Sequence, residues 1–496
     1  MSNRPRVSSR CRLPASPAGI AVLAWMGLVA GLAGLVAPAL AQGPAAVPVL
    51  PDEAQSTAAA LRDGALQGSG AYDLVKSLTT EVGPRSAGSR GDAAAVAWAL
   101  RTLKGLGFSN VRAEMVKVPH WERGAESGEI TAPYPQQVAL AALGGSSGTT
   151  QGGIESEVVE AASLDALAGL GAAKVKGKIV FFNTPTERTR EGSGYQSAVV
   201  VRSSGPARAG RLGAVAVLVR SIGTDGNRLP HTGATRYEAG GPRVPAAALS
   251  GPDADLLAAE LATGKSVRFR LRLGARTLAD AQSANVIGEI PGRERPEEIV
   301  LLGCHLDSWD LGTGALDDGA GCAIVIESAR RIGQLPAKPR RTLRVVLFAN
   351  EEFGLSGAEA YAASHAKELP RHVVAAEADL GSGRVWRLDT RVAPEALAWV
   401  RELNRLVAPL RVNSGGNEAE GGADLIPLGP AGVPVLSPVQ DATAYFDFHH
   451  TANDTLDKVN ARDLDYNVAA WSALAYAAAE MPGDFGRVVT AKPPGF

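Results

Sequence analysis

Cysteine is scarce in this chain, at three residues in 496, which is too few for a disulfide-built scaffold. Neither charge is in excess: 50 Lys+Arg stand against 51 Asp+Glu, so the basic footprint that nucleic acid or an anionic membrane surface attracts is missing. Blocks of like charge are absent and 45% of residues are hydrophobic, which excludes disorder for the bulk of the chain. Histidine is rare, at seven residues, so each one carries weight. At about 150 residues per domain, the length allows two or three domains and a large core.

The first fifty residues hold no acidic side chain. Arg4, Arg6, Arg10 and Arg12 precede an apolar run from Gly19 to Val36, and Ala39 and Ala41 then stand at signal-peptidase spacing. The expectation is a signal peptide over 1–41 cut before Gln42, with a secreted or periplasmic product. An uncleaved anchor is the rival, because the run is about long enough to span a bilayer. No Leu-x-x-Cys lipid-attachment pattern follows it. Cleavage would take the formal charge from −1 to about −5 and leave only Cys304 and Cys322. An oxidising compartment permits a bond between those two. A strand position and a helix position at unstated separation read more simply as two separately buried thiols.

Residues 42–68 read as a loose leader running into a helix, and 92–106 carries a helical stripe of Ala95, Val96, Ala99, Leu100 and Leu103. Composition shifts to Gly, Ser and Thr at 142–153, a boundary signal. Between 153 and 273 lies a module with strands at 178–182, 214–219 and 244–249 and a short helix at 207–212, but no dense set of chemical side chains. From Asn285 onward, strand and helix alternate, which argues for a mostly parallel α/β sheet with helices on both faces. Its strands are expected at 299–304, 343–348, 373–376 and 433–439, and its helices at 319–332, from about 356, and at 469–479.

Chemistry collects at the carboxyl ends of those strands, where open α/β sheets place their ligand crevice. His305 and Asp307 follow the first strand, Glu351 and Glu352 the second, and Asp379 the third; Asp317 opens the next helix and His450 lies after the last strand. Imidazole and carboxylate suit zinc where cysteine is not used. Two metals sharing one carboxylate need about five such ligands, with a general base beside them. Adjacent Glu351 and Glu352 can divide those tasks. Asp307 could accept the second ring N–H of His305. Singly, each of these residues reads as an ordinary surface pair or helix cap; their joint placement is the signal.

The segments 303–310 (GCHLDSWD), 314–319 (GALDDG) and 446–450 (FDFHH) resemble the carboxypeptidase Q branch of the co-catalytic di-zinc exopeptidases, the family that includes the bacterial leucyl aminopeptidases. Segments 83–85, 119–124 and 230–233 match it as well, and the similarity covers about 70–480. The resemblance implies a zinc exopeptidase fold interrupted by an inserted protease-associated-like domain. Its expected layout is a signal peptide over 1–41, the first part of the peptidase domain over 42–140, the insert over 141–284, the catalytic domain over 285–485 and a tail over 486–496. It implies two zinc ions, with His305 and Asp379 on one, Glu352 and His450 on the other, and Asp317 bridging. Glu351 would be the general base and Asp307 the support of His305. His450 is preferred to His449 because Asp454 and Thr455 follow it at the family's spacing, and Tyr445 is a candidate for steadying an oxyanion.

The implied activity is hydrolysis of dipeptides or short peptides with a free terminus, by a chain with a peptide substrate and a possible homodimeric partner. The stretch 350–357 is nearer the aminopeptidase branch, and Ala452-Asn453 replaces a His-Gly of the other branch, so release of single amino-terminal residues is the alternative. Which side chain reads the chain end is open, with 413–424 as a guess. A receptor-like relative without catalysis is less favoured, since base and ligands are intact, and so is a single-zinc cyclase. Gly144-Gly145-Ser146-Ser147-Gly148 matches a nucleophile elbow, but loop residues follow where a helix is required.

Overall fold

Residues 49–491 are described by the structure, a computed structural model. The expected signal peptide and its cleavage point lie outside them. Among the described residues, no helix is long and apolar enough to cross a membrane.

Eight strands form the main sheet: β1 (Ser109–Val118), β2 (Ala281–Ile290), β3 (Arg295–His305), β4 (Arg341–Phe348), β5 (His372–Glu377), β6 (Val385–Arg391), β7 (Asn413–Ser414) and β8 (Val435–Gln440), in the order β1-β2-β4-β3-β5-β8-β6-β7. The run β4-β3-β5-β8 is parallel, while β1 and β2 on one side and β6 on the other pair antiparallel. The expected parallel sheet is therefore the centre of a mixed one.

Side chains of a strand alternate between faces, and β3 shows why both faces must be covered. Val300, Leu302 and Cys304 join a core with the helices α1 (Asp52–Ala65), α2 (Ala71–Glu81), α3 (Arg90–Gly105), α4 (Ala320–Gly333) and α6 (Ala461–Glu480). Ile299 and Leu301 point the other way, against Val346, Phe348 and Ala375 and under the helix α5 (Ser356–Ser364). The stripe read in α3 is buried at Ala95, Ala99 and Leu103, with Trp98 beside them.

Register then fixes where chemistry can occur. His305 is level with Phe348 in β4, and Gly303 with Glu377 in β5, so three parallel strands end together at one edge.

A second eight-stranded sheet draws its strands from Glu126–Ala132 through Arg268–Leu273. Its strands Glu126–Ala132 and Gln136–Val138 precede residue 141, where the insert was expected to begin, and Leu140–Ala142 spans it. The expected short helix at 207–212 is the end of a longer one, Ser193–Arg211. Its Gly, Ser and Pro content hides the period; packing carries it instead, since a Cβ on Gly205 would meet the Phe182 ring at 2.6 Å. Residues 144–148 form a loop with no helix after it, so the elbow geometry is missing.

The reading of Cys304 and Cys322 as separate thiols is corrected: they form a disulfide, with Cα atoms 5.1 Å apart. Chain 306–319 folds back so that the first turn of α4 lies over the end of β3. The sequence does not carry that return path.

Leu301 is fully buried within the second face of the sheet. Leu301→Ala is expected to lower unfolding free energy by about 3 kcal/mol, measured by urea denaturation, with a loss under about 1 kcal/mol contradicting this packing.

Candidate metal centre at the strand ends

His305 closes β3, Glu351 and Glu352 follow β4, and Asp379 follows β5. Asp317 and Asp318 lie in the tight segment Ala315–Gly319 that leads into α4, joined by a cis peptide. His450 comes from the loop after β8, with its backbone in the left-handed region at φ 62°.

These elements bring the five expected ligands together around one carboxylate. Asp317 Oδ1 lies 3.2 Å from His305 Nε2, and Asp317 Oδ2 lies 3.2 Å from His450 Nε2. His305 Nε2 is also 3.4 Å from Asp379 Oδ1, and His450 Nε2 is 3.1 Å from Glu352 Oε2. Each half thus has one imidazole and one carboxylate of its own and shares Asp317. His449 Nε2 is farther from Asp317, at 3.6 Å, and its ring stacks on His450 at 3.5 Å between centroids.

The surrounding side chains hold this set in place. Asp307 lies beside His305 and meets it mainly through its main chain. The nearer acceptor of His305 Nδ1 is the Asp307 main-chain oxygen, at 3.1 Å against 3.7 Å for the carboxylate. The Asp307 carboxylate instead accepts the backbone N–H groups of Glu351 and Glu352, at 3.0 and 3.4 Å, and so fixes the turn that carries both. Trp309 Nε1 donates to Glu352 Oε2 at 2.6 Å. Asp454 accepts from the N–H groups of Leu316 and Asp317. Asp318 accepts from the N–H of His305 and of Gly321, where a Cβ would sit 2.0 Å from the Ala378 carbonyl oxygen, so only glycine fits. Buried Arg85 donates to the carbonyls of Leu306, Thr313 and Gly314 at 2.6–2.8 Å, tying both ends of the 306–314 turn.

Of these supports, Asp318, Trp309 and Asp454 stand inside or beside recognisable motifs, whereas Arg85 carries no local signal of its purpose. Asp424 is another: it is fully buried with neither carboxylate oxygen partnered, beside Glu377, which accepts from its N–H. Tyr445 is buried beside the centre, its ring 5.0 Å from that of His449.

Burial sets the electrostatics. It raises the Glu351 carboxyl well above its usual range, reinforced by Glu352, Asp379 and Asp307, although His305 opposes it. Burial also raises Glu352 to about 7, Asp454 to about 7 and Glu377 to about 8. His305 and His450 feel burial as a downward pull, but their carboxylate neighbours override it and hold both well above the ordinary imidazole value. Asp317 goes the opposite way, because two imidazoles outweigh its burial. Tyr445 is raised well above its usual value by burial and by Asp317, so its hydroxyl stays protonated.

Such a concentration of buried carboxylates is costly without compensating positive charge. Imidazole nitrogens and carboxylate oxygens come together around Asp317, and Glu352 Oε1 is buried without a hydrogen-bond partner. Disulfide-bonded Cys304 and Cys322 have no thiolate to offer a metal. This donor set fits a pair of divalent cations of the borderline, N/O-binding kind.

Glu352, Glu377 and Asp454 hold protons more tightly folded than unfolded, and so do His305 and His450. Their stabilisation is present near pH 5 and is lost as pH rises toward about 8, whereas the Asp317 contribution changes only below its usual value. The chelator-treated protein is therefore expected to melt at a lower temperature at pH 8 than at pH 5. A midpoint that is flat or rising over that interval would contradict the electrostatics described.

Residues 285–475 match Peptidase family M28. Carboxypeptidase Q of Mus musculus is 36% identical over 410 residues, covering 83% of this chain and 86% of that protein. The crystal structure of a peptidase M28 precursor from Shewanella amazonensis is 46% identical with a TM-score of 0.86, covering 89% of this chain and 99% of that one. An aminopeptidase from Aneurinibacillus sp. strain AM-1 is 25% identical with a TM-score of 0.58, covering 85% of this chain and 96% of that one. With the strand-end cluster in the matched region and relatives aligned over nearly their whole length, the chain belongs to peptidase family M28.

Proposed function

We propose that this chain is a zinc-dependent exopeptidase that hydrolyses dipeptides or short peptides with a free terminus. The observation that carries the reading is the Asp317 carboxylate, one oxygen turned to His305 and the other to His450, each imidazole having a second carboxylate beside it. His305 and Asp379 would hold one zinc, Glu352 and His450 the other, and Asp317 both. Zinc held there would supply Lewis acidity, lowering the pKa of the attacking water and polarising the scissile carbonyl.

The chain's own groups do the rest. Glu351 takes a proton from the attacking water as its oxygen bonds to the carbonyl carbon, then delivers that proton to the leaving amine nitrogen as the C–N bond breaks. Burial raises the Glu351 carboxyl well above its usual range, which strengthens it as a proton acceptor. Asp307 orients the base through the Glu351 N–H. The Tyr445 hydroxyl, kept protonated by its surroundings, can donate to the oxyanion of the tetrahedral intermediate.

The alternative within the same chemistry is removal of single amino-terminal residues. The 25%-identical aminopeptidase and the 350–357 stretch support it. The basic and apolar start of the chain supports export to a secreted or periplasmic location, with a peptidase domain and a protease-associated-like insert in the mature chain.

Glu351→Gln is expected to retain about two zinc per chain by elemental analysis while losing about 100- to 10,000-fold in turnover. Dipeptides blocked at one end or the other then name the end that is read. Two bound zinc ions without cleavage of any peptide would remove catalysis, and no bound zinc would remove the ligand assignment.

A further inference from the structure

Among the described residues the second sheet carries no cluster of metal donors, yet its loop over 222–235 reaches the least regular ligand of the centre. Thr232 donates its N–H to the His450 carbonyl at 3.0 Å. The Thr232 carbonyl faces His450 Nδ1 at 3.3 Å and accepts from Arg202 Nη1 at 3.2 Å. One residue earlier, His231 Nδ1 lies 2.7 Å from the His449 carbonyl, and its Nε2 lies 2.6 Å from Asp225. His231 is 1% exposed and Thr232 is fully buried. The loop is shaped around His231, because a Cβ on Gly223 would sit 2.2 Å from the ring. Thr232 is itself anchored, with Oγ1 donating to the Ala142 carbonyl at 2.8 Å and Arg123 Nη2 reaching that oxygen at 3.3 Å.

These contacts have a chemical consequence. A carbonyl can only accept, so facing Thr232 it selects the His450 tautomer with the proton on Nδ1. That leaves the Nε2 lone pair toward Asp317 and Glu352, the form a metal needs. Left-handed backbone at a non-glycine residue such as His450 persists only where its surroundings over-determine it. The bonds to the His449 and His450 carbonyls do that.

We infer that His231 and Thr232 of the second sheet are positioning residues for the zinc held by His450 and Glu352, acting through the main chain at 449–450 and the His450 tautomer. The inference rests on the di-zinc reading and goes beyond it. It makes the second sheet part of the metal centre and makes the two zinc sites unequal in what supports them.

Chelator competition with zinc alone, followed by metal analysis, tests it on the full mature chain. In the wild type, two zinc ions are expected to leave in two phases. His231→Gln keeps a group that can reach Asp225 but none at the Nδ1 position; His231→Asn places an amide N–H where Nδ1 was. His231→Gln is expected to weaken one phase by about 10-fold or more and leave the other unchanged, while His231→Asn stays within about 3-fold of wild type. Thr232→Val, which keeps size and frees the loop from Ala142 and Arg123, is expected to weaken that same phase, and it serves if His231→Gln fails to fold. Melting of the chelated variants checks the fold independently of metal. Equal weakening of both phases, equal behaviour of the two His231 variants, or no change at Thr232→Val with a native melt would overturn the role. A wild type that binds fewer than two zinc ions would overturn the di-zinc reading as well.

Discussion

The structure depends on keeping many carboxylates buried at one edge of a sheet. Asp307, Asp317, Asp318, Glu352 and Asp454 are nearly inaccessible, with Glu377 and Asp424 behind them. Burial disfavours the charged form of each, as the raised Glu352, Glu377 and Asp454 values express. Among the described residues, three imidazoles (His305, His449 and His450) and the Arg85 guanidinium stand close to them, fewer than the carboxylates they face, so a pair of divalent cations is the natural completion. Everything nearby can be read as a way of holding that set rigid before the cations arrive.

Rigidity comes from main-chain anchoring more than from contacts between the ligands. Asp307, Asp318 and Asp454 each accept two backbone N–H groups on the segments that present His305, Asp317, Glu351 and Glu352. Arg85 gathers three carbonyls of the 306–314 turn. Charge-assisted bonds to backbone groups stabilise irregular turns that have no ladder of their own. The loop ligands thereby gain the precision that strand ends give to His305. The second sheet extends the same principle to His450, while Arg123 grips Asp310 two ways, at 2.8 and 2.6 Å, beside the turn that carries Trp309.

How much of this was legible in the sequence follows from how local each cause is. The β3, β4 and β5 strands are short apolar runs bounded by polar residues, and the helical stripe of α3 is periodic, so both stand out. The cluster of candidate residues was readable because histidine is rare and acidic residues fall just past consecutive strands. The preference for His450 over His449 came through spacing to Asp454; of the two, His450 Nε2 is the nearer to Asp317, at 3.2 Å against 3.6 Å. The length of the Ser193–Arg211 helix was not readable, since packing of Gly205 on Phe182 overrides its composition.

The sequence by itself determined the chemistry: which donors exist, the order in which strands deliver them, and a cysteine count too low for a thiolate cage. Tertiary structure alone decided which groups face each other across long chain separations. It bonded Cys304 to Cys322, set the Asp307 carboxylate on the Glu351–Glu352 turn, and brought Thr232 to His450. Those outcomes depend on how the 306–319 chain folds back and how the second sheet's loops meet the strand ends. Neither path leaves a periodic or compositional trace, because contacts between distant segments are selected by packing and charge in the folded state.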